Sequence, residues 1–371
     1  MCGWIASSAP IADRAQEIDI SVQPCPDSPV SCETVLVMSD KIRWGVLGVA
    51  NIAVKKVIPA MQKGRFSEIT AIASRDAHRA HHAAAQLGIP KSYGSYQGLL
   101  ADPAIQAVYI PLPNHLHVPL SIRAAEAGKH VLCEKPLSLT AEEARSLIAV
   151  RNKTRVKIGE AFMVRTHPQW LRARELVRTG AIGELRSIVS VFSYFNRDPK
   201  NIRNVPEIGG GGVMDIGCYP ITMARFLFER EPLRVTALVD RDPEMNTDRL
   251  SSALLDFGTG HAIFTCSTQL VPFQRMQILG TKARIDMEIP YNIPTDGPSR
   301  IFIDDGAELG GRKARIEQFD TADQYTIQGD AFSRAILDNT EVPVPLENAL
   351  GNMLVIEAVL HAGQSGRWES L

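Results

Sequence analysis

From Lys41 onward, short apolar runs alternate with stretches of helical period. The runs are IRWGVL (42–47), EITAIAS (68–74), IQAVYIP (105–111), HVLCE (130–134) and VKIGEAF (156–162). Between them lie a stretch from Ile52, DAHRAHHAAAQLG from Asp76, HVPLSIRAAEAG from His117 and TAEEARSLIAV from Thr140. Thr140 with Glu143 forms a capping box, and Gly88 and Gly128 stand where helices stop. The alternation predicts a parallel sheet covered by helices, an α/β half of Rossmann type over residues 41–162. Pro59 falls inside the first predicted helix and removes a backbone donor, which predicts a kink there.

After Phe162 the pattern changes. ELRSIVSVFSYF, PLRVTALVD, RLSSALLDF, HAIFTCSTQL and RMQILG follow one another with turns and little helix between them. Such succession favours an antiparallel sheet. Two helices interrupt or close it, Val213 to Phe228 and Leu346 to about Ala362, so residues 163–371 read as an α+β domain. The first forty residues carry prolines, serines and acids without a sustained period and read as a flexible extension. No Lys or Arg precedes Arg14, unlike the basic start of a secretory signal. Met38, immediately before the first patterned strand, is the expected natural start, and mass spectrometry of the native protein checks it.

The 371 residues are 45% hydrophobic and 22% charged, enough for two cores. Forty basic residues against forty-one acidic ones leave a formal charge of -1, which argues against nucleic acid or an anionic membrane as partner and for a small, locally recognised ligand. No run reaches the roughly eighteen apolar residues of a membrane span. The six cysteines include no CxxC pair, which argues against a disulfide framework or zinc site and suits reduced thiols in the cytoplasm.

GVLGVANIA (45–53) follows the first predicted strand and opens the first helix, the context that makes a glycine fingerprint credible. Gly48 can make the tight turn, and the helix N-terminus after it can offer N–H groups to a pyrophosphate. Ala50 stands where the usual pattern has a second glycine. At the end of the second strand, where an NAD enzyme has an acid for the ribose 2′-hydroxyl, the chain reads Ala73-Ser74-Arg75. Ser74 and Arg75 suit a 2′-phosphate, hence NADP, with NAD as the alternative if Asp76 takes the role of the acid. Arg75 as a solvated cation and Asp76 as a helix cap is the plainer alternative. PLPNHLH (111–117) ends the third strand, where Asn114 can reach a nicotinamide ribose; His115 and His117 have no evident third partner for a metal. The expected cofactor set is Gly48, Ala50, Asn51, Ile52, Ser74, Arg75, Pro113, Asn114, His117, Glu134 and Lys135.

Glu134-Lys135-Pro136 closes the fourth strand and sets an ammonium at the sheet's carboxyl edge, where it can orient a substrate oxygen and assist proton transfer. In GGGGVMDIGCYPI (209–221), Asp215 and Tyr219 are four apart and share a helix face. Asp215 can accept sugar hydroxyls and Tyr219 can carry the proton that accompanies a hydride. A buried tyrosine bonded to a capping aspartate is the plainer alternative.

These segments together, GVANIA, PLPNHLHVPLSIRAAEAGKHVLCEKPLSLT, EAFMVRTHPQ and NIRNVPEIGGGGVMDIGCYPI, resemble the Gfo/Idh/MocA oxidoreductases over nearly everything after residue 40. The resemblance implies a second domain with an open, mainly antiparallel sheet that supports a homodimer or homotetramer. It implies Lys135 as the catalytic lysine, with Asp215 and Tyr219 as the pair of the second domain. Tyrosine at 219, where many relatives carry histidine, resembles the glucose-fructose oxidoreductase, D-xylose dehydrogenase and dimeric dihydrodiol dehydrogenase branch. Arg165, His167 and Arg203 lie in segments that approach the substrate there. The expectation is an NADP-dependent oxidoreductase acting on a sugar or polyol-like compound. The alternatives are a trans-dihydrodiol dehydrogenase and a non-catalytic NADP-binding regulator.

Overall fold

A computed structural model describes residues 41–371; the expected N-terminal extension, Met38 and the first three cysteines lie outside the described residues. Six parallel strands form the first sheet: β1 (Ile42–Leu47), β2 (Ser67–Ala73), β3 (Lys91–Tyr93), β4 (Ala107–Ile110), β5 (His130–Glu134) and β6 (Ile158–Ala161). Their order is β3-β2-β1-β4-β5-β6, so the winding reverses between β1 and β4 and opens a crevice at the strands' carboxyl ends. Five of these strands match the apolar runs. The sixth, β3, is a three-residue edge strand, KSY, with no apolar run to reveal it.

The covering helices are α1 (Ile58–Gln62), α2 (Ala77–Leu87), α3 (Tyr96–Leu100), α4 (His117–Glu126) and α5 (Ala141–Thr154). Asp76 caps α2 by accepting from the Arg79 N–H, and Gly88 ends it in the left-handed conformation. Thr140 accepts from the Glu143 N–H at 3.1 Å, while Glu143 reaches back to the Leu139 N–H at 2.8 Å. The kink expected at Pro59 takes the form of a wide turn. Ala53–Val57 is in π register, with the Ile58 N–H bonded to the Ala53 carbonyl, and Pro59 follows directly in α1, so the wide turn gives the proline a place within a continuous helix.

The second half holds α6 (Pro168–Arg178), β7 (Leu185–Phe195), α7 (Cys218–Phe228), β8 (Arg234–Arg241), β9 (Asp248–Asp256), β10 (His261–Ser267), β11 (Gln269–Gly280), β12 (Arg284–Met287), β13 (Ser299–Asp304), β14 (Arg315–Phe319), α8 (Gln324–Leu337), α9 (Leu346–Ser365) and β15 (Glu369–Ser370). Nine strands make one open sheet in the order β14-β13-β12-β11-β7-β10-β9-β8-β15. It is antiparallel except for the β7–β10 pair. One face packs on α6, α7 and α9 through Trp170, Phe192, Tyr219, Phe264 and Ile356. The other face leaves Val189, Leu238, Ile263 and Val271 exposed.

The last helices cross back over the first sheet. Phe332 of α8 packs 5.5 Å from the Trp44 ring, whose indole N–H donates to Ser333 Oγ at 3.0 Å. Leu346 and Ala349 of α9 join the core beneath β4 and β5. The chain from residue 163 onward therefore does not keep to its own core. An apolar helix face records that it must be buried, not against which sheet.

Candidate active site

The crevice of the first sheet continues into the second half as one cleft of about 1130 Å³. At its nucleotide end, Gly48 has φ +123°, and a Cβ there would lie 2.6 Å from Leu112 Cδ2, so only glycine fits this turn. Val49, Ala50, Asn51 and Ile52 border the cleft beyond it, with Ser74 and Arg75 at the end of β2. Ser74 Oγ accepts from the Asp76 N–H at 3.2 Å, and the Asp76 carboxylate is engaged as the α2 cap. Arg79, one turn into α2, joins this group and donates to the Val49 carbonyl at 2.7 Å. Sequence reasoning passed over Arg79, which lies in the first turn of α2, three residues after the Asp76 cap. The glycine cradle and this cluster of hydroxyl and guanidinium groups fit a dinucleotide with a phosphorylated ribose.

Pro113 and Asn114 follow β4, and Asn114 Nδ2 donates to the Gly209 carbonyl at 2.8 Å, tying the two halves across the cleft. His117 and Glu134, expected to bind cofactor, border the cleft but are taken by the protein itself. Each His117 ring nitrogen faces a backbone carbonyl, Leu112 O at 2.6 Å and Pro136 O at 2.8 Å, and burial pushes the imidazole down to about 4. Glu134 Oε1 accepts from the Tyr109 hydroxyl at 2.6 Å. Among the described residues no His, Cys, Asp and Glu side chains cluster as a metal site.

At the junction of the halves, Lys135 leaves β5 and meets Asp215. Val213–Gly217, leading into α7, is again a π turn followed by a proline, Pro220. In that register the donor for the Asp215 carbonyl would be residue 220, which has no N–H. That carbonyl accepts from Lys135 Nζ at 2.6 Å, and the Asp215 carboxylate lies 3.4 Å from the same ammonium. Asp215 Oδ2 also accepts from Tyr194 Oη at 2.7 Å and from Arg203 Nε at 2.9 Å. Asp215 is thus mostly saturated by protein donors rather than open to sugar hydroxyls. Burial alone would raise its pKa, but the Lys135 and Arg203 cations hold it below the ordinary value. Burial would likewise lower Lys135, yet the Asp215 carboxylate keeps its ammonium above the usual range.

Lys135 Nζ lies 4.8 Å over the Tyr219 ring, which is wedged between Phe162, Phe192 and Tyr291. Burial pushes the Tyr219 hydroxyl well above its ordinary pKa, and among the described residues its one close acceptor is Met163 Sδ at 3.7 Å, so the phenol keeps hydrogen-bonding capacity for a ligand. Arg203 enters the site as expected for its segment. Arg165 and His167 do not line the cleft. Arg165 stacks on Phe226 at 4.3 Å and donates to Asn348, and His167 Nδ1 caps α6 by accepting from the Gln169 N–H. Their motif turns through a short 3-10 segment, Met163–Thr166, that carries both side chains inward to the helices. Tyr194, Phe192, Gln274 and Tyr325 border the cleft and had no sequence signal beyond being aromatic or polar.

A dinucleotide cradle facing a lysine–carboxylate–tyrosine group across a two-domain cleft defines a nicotinamide-dependent oxidoreductase. Residues 42–162 match the model of an oxidoreductase family with an NAD-binding Rossmann fold, and residues 170–286 match the GFO/IDH/MocA C-terminal domain. The chain belongs to the Gfo/Idh/MocA oxidoreductase family. It is 48% identical over 333 residues to an uncharacterised oxidoreductase of Rhizobium meliloti, covering 90% of this chain and 100% of that one. It is 38% identical to an NADP-dependent D-xylose 1-dehydrogenase of Haloferax volcanii, covering 87% and 98%. Among solved structures, a 3-ketoreductase of Actinomadura kijaniata in complex with NADP and TDP-benzene superposes with a TM-score of 0.81 at 29% identity, over 87% of this chain and 98% of that one.

Proposed function

We propose that the protein is an NADP-dependent oxidoreductase of aldose dehydrogenase type, interconverting a CH–OH and a C=O group of a sugar or polyol-like compound. The observation that carries this reading is Lys135, held charged by Asp215, beside the neutral Tyr219 phenol at the mouth of a dinucleotide cleft. Bound nicotinamide supplies or accepts the hydride. Lys135 and Tyr219 both line the cleft and carry protons, so a carbonyl oxygen set between them is polarised and protonated as it is reduced. In the oxidative direction the steps run in reverse: one member of the pair first releases its own proton and then takes up the hydroxyl proton as the hydride leaves. Arg203 and Tyr194 hold Asp215, and through it Lys135, in place. Ser74, Arg75 and Arg79 select the 2′-phosphate. The NADP-linked relatives support this choice.

The test is absorbance-monitored reduction of NADP and NAD with a panel of aldoses, inositols and trans-dihydrodiols, run beside Lys135→Met. Lysine-dependent turnover of an aldose with NADP supports the reading; tight NADP binding without turnover in either direction moves it to a regulator. A second reading has its own observation. Phe192, Tyr194, Phe273 and Tyr325 give the cleft the aromatic lining that a trans-dihydrodiol requires, and a mouse trans-1,2-dihydrobenzene-1,2-diol dehydrogenase is 30% identical over 272 residues. Turnover of dihydrodiols but not aldoses selects it. The exposed apolar face around Val189, Ile263 and Val271 supports a homodimer or homotetramer, and the buried free thiols Cys133, Cys218 and Cys266 suit the cytoplasm.

A further inference from the structure

The Lys135 turn is held by side chains that the chemistry above does not use. Pro136 C=O and Leu137 N–H are the two ends of one peptide unit, the first after Lys135–Pro136. The carbonyl end lies 2.8 Å from His117 Nδ1, and the N–H end donates to Glu160 Oε1 at 2.9 Å. His117 is 1% exposed, Glu160 3% and Leu137 fully buried, so water does not compete for either end. The two side chains come from opposite sides of β5: His117 follows β4, and Glu160 lies in β6 opposite Cys133. The proline ring fixes φ of residue 136. With the single N–H of the neutral imidazole on Nδ1, His117 and Glu160 grip both ends of the next peptide plane and fix that residue's ψ as well.

We infer that His117 and Glu160 are positioning residues that lock the peptide plane after Lys135 and so set where its ammonium stands. This inference rests on the proposed role of Lys135. A residue held by both φ and ψ cannot swing its neighbour's side chain away from Asp215 and Tyr219, and a misplacement of about 1 Å at such a group costs on the order of 100-fold in rate.

The experiment compares Glu160→Leu, which loses the acceptor, with Glu160→Gln, which keeps an amide oxygen for the Leu137 N–H. His117→Ala and His117→Asn form the matching pair at the other end, because asparagine retains one N–H donor. Hydride transfer is followed at saturating NADP by steady-state initial rates over a range of substrate concentrations, with melting temperature and NADP affinity confirming a folded protein. The expected result is a drop of about 10- to 100-fold in kcat for Glu160→Leu and His117→Ala, with substrate KM changed less than about threefold and most of the loss restored in Gln and Asn. In a Lys135→Met background, where residual turnover is measured at high enzyme concentration, Glu160→Leu should cost little more.

Folded Glu160→Leu and His117→Ala proteins with wild-type kcat overturn the inference and leave the proposed function standing. Equal loss in Gln and Leu overturns it too, as does a full additional loss in the Lys135→Met background. Wild-type turnover in Lys135→Met alone overturns the role of the lysine and this inference with it.

Discussion

Glu160 also makes the sharpest statement about stability. Its carboxyl is raised from the ordinary 4.5 to about 7, chiefly by burial, which the Leu137 N–H and the Arg225, Lys135 and Arg165 charges only partly offset. The native state therefore binds this proton more tightly than the unfolded chain. Stability contributed by the protonated acid is present at low pH and is lost as pH rises from about 4.5 through about 7. At 1.36 kcal/mol per unit, the loss amounts to roughly 3 kcal/mol above pH 7. Glutamine mimics the protonated acid in shape and does not titrate. Urea unfolding of wild type and Glu160→Gln at intervals between pH 4.5 and 8 isolates this proton, because the other groups titrate alike in both proteins. The variant should gain on wild type by roughly 3 kcal/mol over that span, with the change centred between the two pKa values. A difference that stays flat with pH, to within about 0.5 kcal/mol by the same linkage relation, would refute the reasoning.

Arg79→Ala should lower the ratio of kcat/KM for NADP over NAD by about 10- to 100-fold, the loss of one charge-assisted contact, measured by initial rates with each cofactor. Tyr194→Phe removes one of three donors to a buried carboxylate and should cost about 1.5–3 kcal/mol in urea unfolding, whereas an unchanged midpoint would mean that Arg203 and Lys135 already satisfy Asp215. His167→Asn keeps an acceptor at the α6 cap, so substrate KM should stay within about twofold; a tenfold rise would return His167 to the substrate site. His117, His130 and His167 are each held down near 4 by burial, so their contribution to stability is lost as pH drops from about 6.5 to about 4, opposite in sign to that of Glu160, and the melting temperature of His130→Asn should fall less than that of wild type over that range.

Where a function is local, the residue order announces it. Gly48 stands in a strand-to-helix turn with a left-handed backbone, and the run from 45 to 53 already says so, because only glycine tolerates that φ and that approach to Leu112. The strands β1, β2, β4, β5 and β6, the Thr140 cap and the placement of Lys135 at a strand's carboxyl end were legible for the same reason: each is set by neighbours within a few residues. Asp215 and Tyr219 could be put on one helix face by spacing alone. The tertiary structure decided what distant segments do to one another. It brought residue 215 to residue 135 and loaded the Asp215 carboxylate with Tyr194 and Arg203, so that it holds the lysine more than it receives a sugar. It turned Arg165 and His167 away from the cleft, took His117 and Glu134 for the scaffold, and sent α8 and α9 back onto the first sheet. A motif states which atoms a side chain can offer. Which partner claims them first depends on burial and on contacts between segments far apart in the chain, and no local pattern encodes that.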